Sequence, residues 1–193
     1  MMGKQKEKIS VKIDWIVDET GKGGIEVVMN LSDFESSGTS IRRKIRNFKK
    51  KYLEAVEKAK KIEKKARTKS KGVSTTERWQ ACKILADFNT NFTNEFEIKN
   101  YKEAFSRDFN LPLRSVRTYI DFGTYFKENE VLDIVPYSIY AEFTFVINEL
   151  TRKGIFDQEK KQLLKLAKEG NLPKRNEYRK HLRTVTKDSS KTQ

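Results

Sequence analysis

Residues 113–120, LRSVRTYI, place two arginines and two hydroxyl side chains on the side of a helix away from its apolar residues. A guanidinium can donate paired hydrogen bonds to the two acceptors that guanine exposes in the major groove of DNA, and serine or threonine can bond bases or phosphates. This chemistry predicts that the segment reads base edges. The predicted base-reading residues are Arg114, Ser115, Arg117 and Thr118.

Two short amphipathic segments must position these side chains. YKEAFSRDF, residues 101–109, and LRSVRTYIDFGTYF, residues 113–126, are separated only by Asn-Leu-Pro. Asn110 suits a corner that needs a positive φ, Pro112 ends the first helix and starts the second, and Ser106 is small where the helices approach. The pattern predicts a helix-turn-helix. Its packing positions are Phe105, Phe109, Leu111, Val116 and Tyr119.

The first of these helices offers Lys102 and Arg107 to the DNA backbone, contacts that would set position rather than sequence. An ordinary αα-corner with arginines only for solubility is the alternative interpretation. On that alternative, Arg114 and Arg117 would have no ligand.

The net charge of +14 lies almost entirely outside this motif. Residues 41–71 carry +12 and residues 152–193 carry +8, whereas residues 100–126 carry only +1. Because dense cationic segments favour polyanions, the two basic blocks predict affinity for phosphate that does not depend on sequence. The predicted backbone contacts in them are Arg42, Arg43, Arg46, Lys49, Lys50, Lys174, Arg175 and Arg179.

A strict heptad seam runs through the first basic block, with apolar residues at alternating steps of four and three. It predicts one helix of about 28 residues, which needs a partner for its seam. The seam either packs against its own domain or forms a coiled coil with a second copy or another protein, over residues 41–66. Two central alanines would make such a dimer weak. The seam consists of Ile41, Ile45, Phe48, Tyr52, Ala55, Ala59, Ile62 and Ala66.

Elsewhere the periodicities predict a mainly α fold with a small β element. Residues 9–17 alternate as a strand, and DETGKGG and IEVVMNL complete a β-hairpin. A helix is predicted after a cap at Ser74, Thr75 or Thr76, and three more are predicted from Pro136, Asp157 and Pro173. The expected division is a hairpin and linker (1–39), a long basic helix (40–71), a helical helix-turn-helix domain (72–185) and a disordered tail (186–193).

The order AFSRDFNLPLRSVRTYI, VPYSIYAEF, LLKLAKEGNLPKRNEYRKHL resembles the DNA-binding domains of plasmid-partition proteins of the ParB and KorB type. It is also similar to helix-turn-helix proteins of phages and mobile elements. The likeness covers roughly residues 76–185 and implies that Arg114, Arg117 and Thr118 map onto the reading helix. The N-terminal nucleotide-binding domain of partition proteins is missing, so the resemblance implies no CTP-driven clamp.

Residues typical of catalysis are few and lack partners. Cys82 sits among apolar residues and predicts a core position, and the only histidine, His181, lies among lysines and arginines. Asp87, Glu95 and Glu97 are close in sequence but match no acid–base or metal motif. We therefore expect no enzymatic activity, no cofactor and no metal.

The N-terminus has no apolar signal segment, and no run approaches the length that spans a bilayer. The expected location is the cytoplasm, in association with the nucleoid, without membrane contact. The favoured function is a sequence-specific double-stranded DNA-binding homodimer that acts as a transcription regulator or as a partition or replication accessory. The alternatives are a non-specific architectural DNA- or RNA-binding protein and a coiled-coil interaction adaptor.

Overall fold

The computed structural model describes residues 9–17, 23–29, 39–68, 74–92, 96–98 and 100–187. Within these ranges the chain is mainly helical, so the expected multi-helix α fold is confirmed. The strands are β1 (Ile9–Val17), β2 (Gly23–Met29) and β3 (Phe96–Ile98). The helices are α1 (Thr39–Thr68), α2 (Thr75–Phe92), α3 (Tyr101–Phe109), α4 (Leu113–Tyr125), α5 (Tyr137–Phe145), α6 (Ile147–Arg152), α7 (Phe156–Lys168) and α8 (Arg175–Lys187).

The three strands form one sheet in the order β2-β1-β3. β1 pairs antiparallel with β2, with Val11 opposite Met29, as the alternating pattern predicts. Residues 18–22, which would form the turn of the predicted hairpin, lie outside the described residues. β3 pairs parallel with β1, a pairing that the sequence patterns did not predict because β3 has only three residues.

Asn100 continues the contact between this sheet and the helices. Its side-chain oxygen accepts from the Ile13 N–H at 2.8 Å, and its side-chain nitrogen donates to the Ile13 oxygen at 2.9 Å. The amide thereby satisfies both backbone polar groups of one β1 residue immediately before α3 begins. The sheet and the first helix of the predicted motif are consequently fixed to one another.

The part of the heptad seam between Ile45 and Ile62 faces the interior of its own chain. Phe48, Tyr52 and Ala59 are fully buried. The Tyr52 ring stacks on the Phe105 ring of α3, with the ring centroids 5.5 Å apart. The ring centroids of Phe48 and Phe88 of α2 are 5.4 Å apart. Phe48, Tyr52 and Ala59 therefore pack within their own chain, which is one of the two roles that the sequence left open.

One hydrophobic core joins the three predicted segments. Val11 of β1, Phe48 of α1 and Leu182 of α8 belong to the same cluster of buried residues. The expected divisions at residues 40 and 72 therefore do not separate independent cores. α8 extends to Lys187, past the expected boundary at 185, and residues 188–193 of the predicted tail lie outside the described residues.

Several helix ends follow the sequence signals and others shift. Ser74 caps α2 as expected, since its hydroxyl accepts from the Glu77 N–H at 3.2 Å. Asp157 lies in the first turn of α7 instead of capping it, and Pro173 precedes α8. The helix expected from Pro136 breaks at Val146 into α5 and α6.

In the part of the chain described, no helix combines the length and apolarity needed to cross a bilayer.

Candidate nucleic-acid interface

The corner between α3 and α4 is set by Asn110. This residue is left-handed, with φ 50° and ψ 51°, as the sequence predicts. Its N–H donates to the Arg107 oxygen at 3.2 Å, and the Leu111 N–H donates to the Ser106 oxygen at 3.0 Å. These two bonds define a Schellman end, which satisfies carbonyls that the finished helix leaves without partners.

Ser106 and Pro112 complete the corner. The Ser106 hydroxyl donates to the Leu111 oxygen at 2.5 Å, so the side chain closes the turn as well as being small. Pro112 has φ −58° and ψ 143°, and its oxygen accepts from Ser115 and Val116 at 2.8 and 3.2 Å. α4 therefore starts at Leu113 directly after the proline, where a missing N–H costs nothing.

The inner face of α4 is buried against α2. Val116, Tyr119 and Ile120 are buried, as expected for the second helix of the motif. Gly123 allows the closest approach, since a Cβ on it would lie 2.4 Å from the Cys82 backbone oxygen. α4 thus rests directly on the backbone of α2, a role of the glycine that the sequence patterns did not predict.

The outer face of α4 differs in part from the predicted reading face. Arg114 and Arg117 are exposed, and Ser115 is half-buried. Thr118 was expected to face outward, but it is only 4% exposed, and its hydroxyl donates to the Arg114 oxygen at 3.2 Å. The expectation that Thr118 faces outward is therefore wrong, although Thr118 lies only about 40° from Arg114 around the helix.

Arg117 has one acidic neighbour on its own helix. Its Nε lies 3.5 Å from Asp121 Oδ2, one turn further along. Burial raises the pKa of Asp121, and the charges of Arg117 and Lys102 oppose that rise. Lys102 of α3, a predicted backbone contact, is half-buried, and its ammonium lies 5.6 Å from the Tyr101 ring centre. Cations from both helices therefore share this surface.

Arg107, the other predicted backbone contact on α3, has an internal partner. Its Nε donates to Asp108 Oδ1 at 3.0 Å. Asp108 also accepts from the Tyr52 hydroxyl of α1 at 2.5 Å. The link places the middle of α1 against the last turn of α3, two residues before the corner at Asn110.

The basic half of α1 precedes that link. Arg42, Arg43, Arg46 and Lys50 are exposed, and Lys49 is half-buried. Lys50 lies 3.9 Å from Glu54, a spacing at which an exposed pair contributes little. The described cations of this block thus lie mostly on the surface of α1, and their contact with a polyanion stays a prediction.

The basic residues of α8 are arranged differently. Arg175 Nε donates to Glu142 Oε1 at 2.7 Å, and Arg179 Nε donates to Glu142 Oε2 at 2.8 Å. Glu142 of α5 is 5% exposed. The hydrogen bond from Arg179, opposed by burial and aided by Arg175, lowers the pKa of Glu142. Both arginines therefore hold α8 on α5, a structural contact that the prediction of phosphate binding did not include. Lys174, the third predicted contact of this block, is exposed.

A buried polar network supports α4 from below. Glu63 of α1 accepts from Arg78 Nη2 at 3.0 Å and from the Tyr119 hydroxyl at 3.1 Å. The Arg78 guanidinium also lies 4.8 Å from the Tyr137 ring centre. Sequence reasoning missed this network because Glu63 resembles any other charge on a lysine-rich helix. The network joins α1, α2 and α4, because side chains of α2 and α4 both donate to the Glu63 carboxylate of α1.

The described residues that were considered for catalysis are either buried or bonded to a neighbouring side chain. Cys82 is fully buried, and burial raises the pKa of its thiol well above the ordinary value. His181 Nε2 lies 2.7 Å from Glu159 Oε2, and Asp87 bonds Lys83. Glu95 lies outside the described residues. Among the residues described, no three His, Cys, Asp or Glu side chains gather as metal ligands would.

Comparison with known proteins adds no relative. No protein-family model matches the chain, and neither a curated protein nor a solved structure matches it significantly.

Proposed function

We propose that the protein binds double-stranded DNA and selects its site through α4. The observation that carries the proposal is the corner at Asn110, which presents Arg114 and Arg117 on the exposed face of the second helix. In helix-turn-helix proteins the second helix enters the major groove, and its first residues contact base edges. Arginine suits this position because its fork matches the two acceptors of guanine.

The basic half of α1 supplies affinity for phosphate in this proposal. Its exposed cations release counterions when they approach the duplex, whatever the base sequence. The hydrogen bond between Tyr52 and Asp108 ties α1 to the corner, so both surfaces belong to one rigid support. Lys102 and Lys174 add positioning contacts, whereas Arg175 and Arg179 hold Glu142 and leave the DNA interface.

The biological role we propose is that of a transcription regulator or of a partition or replication accessory. The resemblance of residues 76–185 to ParB- and KorB-type domains supports this role, which would be exercised at the nucleoid in the cytoplasm. A homodimer fits it, because one reading helix specifies few bases and two copies would read two half-sites about one helical turn apart.

The test begins with selection of a preferred duplex from a random library. Arg117→Ala and Arg114→Ala are then compared with a triple variant, Arg43→Ala, Arg46→Ala and Lys50→Ala. Each single change should weaken the selected site by about 1–3 kcal/mol while leaving random duplex binding nearly intact. The triple variant should weaken all sequences, and the slope of log K against log salt should fall by about 0.9 for each phosphate that the protein no longer neutralises.

Equal effects of both sets of variants on every sequence would contradict the reading role of α4. Thermal melting of each variant separates loss of binding from loss of folding. Arg152→Ala is the matched control, since it removes an exposed arginine from α6, away from both surfaces. It should leave both binding measurements unchanged.

The second candidate is a non-specific architectural protein of DNA or RNA. It is favoured by the concentration of exposed cations on α1, together with the charge of only +1 over residues 100–126. Competition between the selected duplex, random duplex and structured RNA distinguishes the two candidates. An unenriched library and equal competition by all three nucleic acids would favour this second function.

A further inference from the structure

The exposed face of α4 carries a large apolar side chain beside its arginines. Leu113, the first residue of the helix, is 48% exposed. With 3.6 residues per turn, Leu113 and Arg117 are neighbours one turn apart, and Arg114 is adjacent along the chain. The sequence patterns assign Leu113 neither to the core nor to the reading residues.

We propose that Leu113 contacts the 5-methyl group of a thymine next to the guanine read by the arginines. This inference rests on the proposed function and names the base feature that the site takes. In the major groove thymine alone presents a methyl group, and apolar side chains contact it. The thymine methyl group would contact Leu113, and the two acceptors of the neighbouring guanine would accept from an arginine.

Leu53 shows why exposure alone does not carry the assignment. Leu53 of α1 is 44% exposed, nearly the same fraction as Leu113. Its neighbours one turn away on either side are Lys50 and Glu57, and Glu57 pairs with Lys61 at 2.6 Å. Leu53 therefore lies in a surface of mixed charge, whereas Leu113 is flanked by cations on a helix that follows a tight corner.

The experiment removes one methyl group from the DNA. Each thymine of the selected duplex is replaced in turn by deoxyuridine, which keeps the base pair and loses only the 5-methyl group. The native protein should lose about fourfold in affinity at one thymine, the value expected for one buried carbon. Leu113→Ala should bind thymine and deoxyuridine duplexes equally at that position, with its melting temperature nearly unchanged.

Leu53→Ala is the matched control and should keep the fourfold preference of the native protein. The inference is overturned if the native protein binds every deoxyuridine duplex as tightly as the parent. It is also overturned if Leu113→Ala retains the preference for thymine. A library that yields no enriched sequence overturns the proposed function and this inference with it, whereas an enriched site without a methyl effect overturns the inference alone.

Discussion

Two carboxylates that contact arginines distinguish the proposed reading surface from the structural support. On α4, Arg117 lies 3.5 Å from Asp121, with 59% and 23% of their side chains exposed. Between α8 and α5, Arg175 and Arg179 bond Glu142, whose side chain is only 6% exposed. The pKa of Asp121 is raised by burial, whereas the pKa of Glu142 is lowered by the bond from Arg179.

The opposite shifts show which arginines are available to a ligand. Glu142 is stabilised as a carboxylate, and releasing either arginine would leave a buried charge with fewer partners. Asp121 gains too little from Arg117 to overcome its own burial, so Arg117 can leave it at small cost. On the proposed function, Arg117 is available to DNA because its carboxylate is weakly held, whereas Arg175 and Arg179 are structural because Glu142 is buried between them.

The largest expected effect comes from Gly123→Ala, which tests the support of α4. The added Cβ would meet the Cys82 oxygen at 2.4 Å, and a helix backbone cannot yield as a side chain can. α4 would have to move away from α2, at a cost of about 3 kcal/mol in the free energy of unfolding. Chemical denaturation measures this loss, and α4 should lose its orientation towards DNA together with stability.

Gly170→Ala is the contrasting variant. Gly170 has φ +73°, and its added Cβ meets nothing within 4 Å. The strain of a left-handed alanine should cost only about 1 kcal/mol. Base preference should be unaffected, because Gly170 follows α7 and belongs to neither α1 nor α4. Equal losses for the two glycines would show that close packing of α4 on α2 is not what holds the reading helix.

Glu142→Gln comes next and tests the structural half of the comparison. The amide keeps the shape but loses the charge that Arg175 and Arg179 bond, so stability should fall by about 1–2 kcal/mol at neutral pH. Because the pKa of Glu142 is lowered in the folded protein, its contribution is complete above the ordinary value of 4.5. It is lost as the pH falls through the lowered value.

Melting curves of the native protein and Glu142→Gln, taken from about pH 3 to about pH 7, measure this difference. The two curves should converge as the solution becomes acidic. DNA preference of the variant should remain that of the native protein. If Glu142→Gln changes base preference without changing stability, Arg175 and Arg179 belong to the interface after all.

The local patterns around the corner were predictable from the sequence, whereas side-chain partnerships over long distances were not. Asn110 and Pro112 act through their own backbone, so their types predict the turn. The sequence does not distinguish Arg175 from Arg114. The partner that makes Arg175 structural is Glu142, which lies 33 residues before it in the chain. The Glu63 network was missed for the same reason, whereas β3 was missed because it has only three residues.

Thr118 shows a second limit of the sequence pattern. An outward face drawn at 100° per residue leaves a flanking position ambiguous, and only the packing of the folded chain decides whether it is covered. The mid-helix glycine at 123 was the available signal for a close neighbour. It indicates where α2 approaches, but Thr118 lies about 140° around the helix from Gly123, so the glycine does not predict the burial of Thr118.

A smaller effect is expected for Asp121→Asn, which tests the weak pair. Burial raises the pKa of Asp121, so ionisation opposes folding; the penalty grows between the ordinary value of 3.8 and the raised value and is constant above it. The amide removes this penalty but also the contact with Arg117. At neutral pH the net gain in stability should be below about 1 kcal/mol.

The same variant removes one negative charge from the proposed DNA surface. Titration of selected and random duplexes should show a similar, few-fold gain for both, because the charge repels any phosphate. At a pH below 3.8, the ordinary pKa of Asp121, the stability difference from the native protein should disappear. A loss of binding confined to the selected duplex would instead give Asp121 a direct part in base reading.

The smallest effect is expected for Thr118→Val, which separates the exposed arginines from their buried neighbour. Valine nearly matches the shape of threonine and loses only the hydroxyl that donates to the Arg114 oxygen. Stability should change by less than about 1 kcal/mol, and base preference should not change at all, because Thr118 is covered by protein. A repeated library selection with this variant measures the preference. An altered base at any position would return Thr118 to the reading face and move the boundary between the two surfaces of α4.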